Sequence, residues 1–145
     1  MPTVAYYGND FESFKAAVGF MEGLYKTETL PPDNTVDVIV IDKSTTPDMT
    51  VPIGSIGVVL SDNREGLQTL MKSGVRTVTC GMSYRDTVTL SATLGHLTVC
   101  LQRRLPVVGG FCLEPAEFPI DSNGFTDDRL LLACAVRLLC GLEPK

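Results

Sequence analysis

One histidine, His96, is all the chain has, and no two of its five cysteines form a C-x-x-C pair. Structural zinc needs several nitrogen or sulfur ligands at short, regular spacings, so no metal is expected. The cysteines, Cys80, Cys100, Cys112, Cys134 and Cys140, are odd in number and lie among apolar neighbours. They read as free thiols buried in a reducing compartment. Basic residues are few as well: 12 Lys and Arg stand against 17 Asp and Glu, for a formal net charge of -5. Such a surface repels nucleic acid and anionic membranes on average. The only adjacent basic pair, Arg103-Arg104, has no aromatic residues interleaved with it, as a single-strand platform requires. No apolar run approaches the ~18 residues of a membrane span. The longest, Leu130 to Leu142, is interrupted by Arg137 and Gly141. The opening MPTVAYYGND has no basic leader followed by an apolar stretch, and a soluble cytoplasmic protein is expected.

What is present is enough apolar material for a core. Hydrophobic residues make up 44% and charged residues 20% of 145 positions, which suits one α/β domain over residues 1–145, stable without disulfide or metal. TVAYY (3–7) predicts a strand. Phe11, Phe14, Val18, Met21 and Tyr25 at helical spacing predict a helix over 10–25, capped by Asp10 or Asn9. TETLPPDNT then reads as a surface loop, and VDVIVID (36–42) and IGVVLS (56–61) as buried strands. Ser61 or Asp62 caps a helix to about Ser73, Gly74 ends it, and VRTVTC (75–80) resumes as a strand. Strands alternating with helices imply a mainly parallel sheet covered on its faces.

Past Gly81, TVTLSA, HLTVCLQ and FCLEPAEFPID alternate with period two, separated by turns at Leu94-Gly95 and Val108-Gly109-Gly110. They predict an antiparallel β-meander. FTDDRLLLACAVRLLCGLEPK closes the chain as a helix capped by Thr126 or Asp127, stopped by Gly141 and Pro144, and buried around most of its circumference. The fold class is therefore α/β: a three-layer, Rossmann-like or P-loop-like, mainly parallel sheet with a meander extension and a buried C-terminal helix.

Three strand-to-loop junctions invite chemistry. Gly8-Asn9-Asp10 sits where a phosphate loop would, but it has one glycine, an acidic residue at the helix start and no lysine before Lys15. It reads as a helix cap. LSDNREG (60–66) ends a parallel strand, the edge where open sheets collect ligands, and offers Asp62 and Asn63 to a ribose or another polyol. TCGMSYRDT (79–87) places Cys80, Ser83, Tyr84, Arg85 and Asp86 near the same edge, with Cys80 a core residue or, if Arg85 activates it, a reactive thiol. Asp37, Asp42, Glu114 and Glu117 have no spacing that obliges any two to meet, and His96 reads as a polar turn residue. No catalytic residue is assigned.

VVLSDNREGLQTLMKSGVRTVTCG, followed by a hairpin-rich section and FTDDRLLLACAVRLLCGLE, resembles the central domain of the Mur ligases over about residues 56–143. The resemblance implies an ATP-dependent amide-ligase ancestry and sets Asp62 and Asn63 at the family's acidic loop, near the nucleoside of a bound nucleotide such as ATP. The family's GK[ST] loop is replaced by VAYYGNDFES, and its His-Asn motif before the last helix by FTDDR. The chain also resembles a group of small uncharacterised bacterial proteins that keep the CGMS-x-x-DT-x-T-x-S pattern, here Cys80 to Ser91. The expected function is a non-catalytic Mur-ligase-like binding or interaction module with a degenerate phosphate loop, acting as a homodimer or with a protein partner. The alternative is a nucleotide-binding enzyme or a subunit of a Mur-ligase-type system.

Overall fold

Val4–Gly8 (β1), Val38–Asp42 (β3) and Ile56–Leu60 (β4) are apolar at nearly every position, the pattern of strands covered on both faces. In the computed structural model, which describes residues 2–144, they form the centre of an eight-stranded sheet. The other strands of that sheet are Leu24–Lys26 (β2), Arg76–Gly81 (β5), Val88–Thr93 (β6), His96–Leu101 (β7) and Ala116–Ile120 (β10). The order is β10-β7-β6-β5-β4-β3-β1-β2, parallel from β2 through β6 and antiparallel from β6 to β10. The mainly parallel sheet with an antiparallel extension is thus present.

Helices Phe11–Val18 (α1) and Asp127–Leu139 (α3) pack on one face, over Val4, Tyr6, Val38, Val40, Val58 and Val78. Arg64–Ser73 (α2) packs on the other, where Leu70 meets a cluster containing Ala5, Tyr7, Ile39, Ile41 and Val59. Alternate residues of each strand serve opposite layers, as a period of two requires. Every residue of α3 from Leu130 to Val136 is buried, as its composition predicts.

Three boundaries differ from expectation. The first helix does not reach residue 25: Gly19, at φ 83, ends it by donating to the Lys15 carbonyl, and Leu24–Lys26 adds to the sheet edge as β2. Met21 and Tyr25 have helical spacing because both face core, but they serve opposite layers of the sheet. The α2 cap is Asn63, not Ser61 or Asp62; its side-chain oxygen accepts from the Gly66 amide at 3.1 Å. The third meander strand is β10 alone, since Val108-Gly109-Gly110 turns a separate small hairpin of Leu105–Pro106 (β8) and Cys112–Leu113 (β9).

Candidate functional site

All three helices begin at the C-terminal edge of the parallel strands, because α1 follows β1, α2 follows β4, and the first turn of α3 reaches the ends of β1 and β3. The strand order reverses its direction of growth at β1, so the crevice beyond β1 and β3 is the usual ligand position of an open α/β sheet. Here that position is filled by the chain itself. Gly8 lies opposite Asp42 in the parallel register, and Tyr6, two residues earlier, extends beneath it. A Cβ on Gly8 would stand 2.6 Å from the Tyr6 ring and hydroxyl and 2.9 Å from the Asp42 Cβ, so no larger residue fits.

The Tyr6 hydroxyl donates to Asp42 Oδ2 at 2.5 Å, and Arg129 Nη1 donates to the same oxygen at 2.7 Å and to the Tyr6 hydroxyl at 3.1 Å. Phe14 stacks on the Tyr6 ring at 4.6 Å and Phe11 tilts against it at 5.9 Å. Burial, and then the hydrogen bond to Asp42, pushes the Tyr6 phenol up to about 12. The phenol therefore stays protonated and donates. At the neighbouring loop, Asp10 caps α1 by accepting from the Ser13 amide at 3.2 Å.

Beside this triad a cleft of about 240 Å³ opens between the ends of β4 and β5 and the first turns of α3. Asp62, Asp86 and Asp128 line it together with Ser61, Gly81 and Ser83. Burial and the carboxylates of Asp62, Asp42 and Asp127 raise Asp128 above the usual carboxylate range, with Arg129 opposing them. Asp62 thus faces a shared acidic cleft, while the Asn63 side chain is used at both ends, its oxygen on Gly66 and its Nδ2 donating to the Lys43 carbonyl at 3.2 Å.

Cys80 is fully buried on the floor of this cleft. Burial, with Asp86 adding to it, drives its thiol far above the ordinary value, the opposite of the activation that a reactive thiol beside Arg85 requires. The expectation of five buried thiols is also corrected: Cys112 is exposed and Cys100 and Cys140 are half-buried. Asp37 is held by the Thr3 amide and hydroxyl just before β3, whereas Asp42 closes that strand at its other end. Glu114 pairs with Arg104, and Glu117 takes a weak bond from the Cys100 thiol. Arg103 braces the 82–87 loop through the carbonyls of Tyr84 and Arg85, so each member of the basic pair has an internal partner.

His96 is exposed at the start of β7, beside a separate open groove with Asp121 and Asn123. Among the described residues, no group of three His, Cys, Asp or Glu is placed to hold a metal ion, and no helix is long and apolar enough to cross a membrane. The pairing of Asp42 with Arg129 has no local sequence signal, since 87 residues separate the two. The chain matches no protein-family model and no curated protein.

Proposed function

We propose that the chain is a non-catalytic α/β binding module related to the Mur ligase central domain, with its ancestral phosphate position sealed. The observation that carries this reading is the Tyr6, Asp42 and Arg129 triad at the β1/β3 crevice. An anion there would need a free cation and open amides. Arg129 is instead neutralised by Asp42, and Asp10 already caps the helix that would receive a phosphate. The adjoining cleft adds three carboxylates, which repel a nucleotide's phosphates. Binding and recognition remain as the work of the C-terminal edge.

The test is thermal unfolding of the pure chain with ATP, ADP or a uridine diphospho-sugar, each with Mg²⁺, alongside an assay of phosphate release. No stabilisation and no release are expected. A ligand at a hundredfold its Kd adds about 2.7 kcal/mol of stability, and a saturable shift of that kind, lost in Asp62→Ala, would overturn the proposal in favour of a nucleotide site at Asp62.

A further inference from the structure

We infer that the outward face of α1 is a two-fold interface with a second copy of the chain, Phe20 of each copy filling the groove over Ala16 and Gly19 of the other. The inference rests on the reading of the chain as a binding module and names the partner of that module.

The face is set by helical position. Phe14 and Val18 turn into the core, which leaves Glu12, Lys15, Ala16 and Gly19 exposed on the outside. These four and Phe20 line a groove of about 390 Å³. Ala16 and Gly19 keep its floor free of long side chains, and the distance at which a second helix packs depends on the side chains at the contact. Phe20 is 91% exposed, yet its backbone is held on both sides. Val18 and Met21 are buried, Arg137 Nη1 donates to the Val18 carbonyl at 2.8 Å, and the Gly19 amide donates to the Lys15 carbonyl at 3.0 Å. An aromatic ring fixed outside the core, beside a concave site, is a large contact whose ordering cost is already met.

Charge then selects the occupant. Glu12 and Lys15 lie about one turn apart on this face, and neither forms an ion pair among the described residues. The Lys15 ammonium instead lies 6.0 Å from the Phe11 ring centroid. An isologous interface needs one patch that carries both members of every contact. This patch carries an aromatic knob and a groove, an acid and a base. Crossing two copies antiparallel at Ala16 brings Phe20 of one near Glu12 of the other, four residues from the centre on each side. Lys15 of one and Glu12 of the other are then about 7.5 Å apart along the axis, at ~1.5 Å per residue, a span that two long side chains close. A lipid surface would ask for a basic rim beside an apolar stripe, whereas this face has one acid for its one base.

The experiment is sedimentation velocity of the full chain over a micromolar-to-millimolar series, with circular dichroism to establish that each variant is folded. A reversible monomer–dimer equilibrium is expected. Phe20→Ser, Glu12→Lys and Lys15→Glu should each weaken it at least about tenfold, or about 1.4 kcal/mol. All three positions are exposed, and the apolar and the charge variants test the face by separate routes. Mixing Glu12→Lys with Lys15→Glu should restore a dimer, because the two bases of one chain then meet the two acids of the other. A folding defect cannot produce that recovery. Three results would overturn the inference: a monomer at millimolar concentration, a dimer that Phe20→Ser leaves unchanged, or no recovery on mixing the two charge variants. Nucleotide turnover would overturn the module reading without changing the sedimentation, and a monomer would leave the sealed crevice as it is.

Discussion

Arg129 Nη1 stands 2.7 Å from Asp42 Oδ2 and 3.1 Å from the Tyr6 hydroxyl, so the first turn of the last helix is tied to the ends of β1 and β3. The Arg129 and Asp42 side chains are 16% and 17% exposed, between a surface pair and a buried one. Surface pairs contribute up to about 1 kcal/mol, and breaking a buried pair costs about 3–5 kcal/mol. Arg129→Met is therefore expected to cost about 2 kcal/mol in urea unfolding, because it strands Asp42. Adding Asp42→Asn should return about 1 kcal/mol of that loss, the signature of direct coupling. Strictly additive costs would show that the pair contributes nothing.

Tyr6 makes a separate prediction in alkali. Its phenol is raised from 10 to about 12, chiefly by burial and then by Asp42, so the folded state holds this proton after the unfolded chain has released its own. The contribution is whole below pH 10 and is lost as pH rises through about 12. Each pH unit separating the folded from the unfolded titration corresponds to about 1.4 kcal/mol. Tyr6→Phe should lose about 1 kcal/mol at neutral pH, for the missing hydrogen bond. It should also unfold with a shallower alkaline slope than the parent, the remainder coming from Tyr7 and Tyr25 and from the thiols of Cys80, Cys100, Cys134 and Cys140, all of which burial also raises. Identical slopes from denaturation midpoints along a pH series would contradict the placement of Tyr6.

The layered fold is legible in the sequence because apolar density and period carry it. VDVIVID and IGVVLS lie within or beside β3 and β4, and Gly74 does end α2, at φ 71. Met21 and Tyr25 mislead because a residue facing core from a turn or an edge strand can imitate the helical period, while the stop signal, Gly19, is a single residue. The α2 cap is ambiguous because Ser61, Asp62 and Asn63 are all competent caps. Only the tertiary bond from Asn63 to Lys43 distinguishes them. At the site, Asp62 is legible from its strand-end position. The Tyr6, Asp42 and Arg129 triad is not, since sequence periodicity carries no information on contacts 87 and 123 residues apart.

The thiols should separate on alkylation. Cys112 is exposed on the small β8/β9 hairpin, whereas Cys80 is fully buried and its thiol is raised by burial and by Asp86. Burial also pushes Cys134 and Cys140 up to about 11. Because the thiolate is the reacting species, iodoacetamide at neutral pH should modify Cys112 first and Cys80 last, at the rate of global unfolding. Peptide mapping over time reads this order, and early modification of Cys80 would show that its end of β5 opens in the folded protein.

The meander offers a gain in stability. Thr93 pairs with His96, so Leu94-Gly95 is a two-residue hairpin turn, and both residues have positive φ, 51 and 79. The right-handed twist of the strands favours this turn, but a leucine in the left-handed region carries a steric cost that asparagine largely escapes. Leu94 is 93% exposed, so removing its side chain forfeits no packing. Leu94→Asn should therefore raise stability by about 0.5–1 kcal/mol, seen as a higher urea midpoint with an unchanged slope. Gly95→Ala, placing a Cβ at φ 79, should move the midpoint the other way. A lower midpoint for Leu94→Asn would mean that relief of the left-handed backbone is outweighed at this turn, and would contradict the assignment of Leu94 as its strained residue.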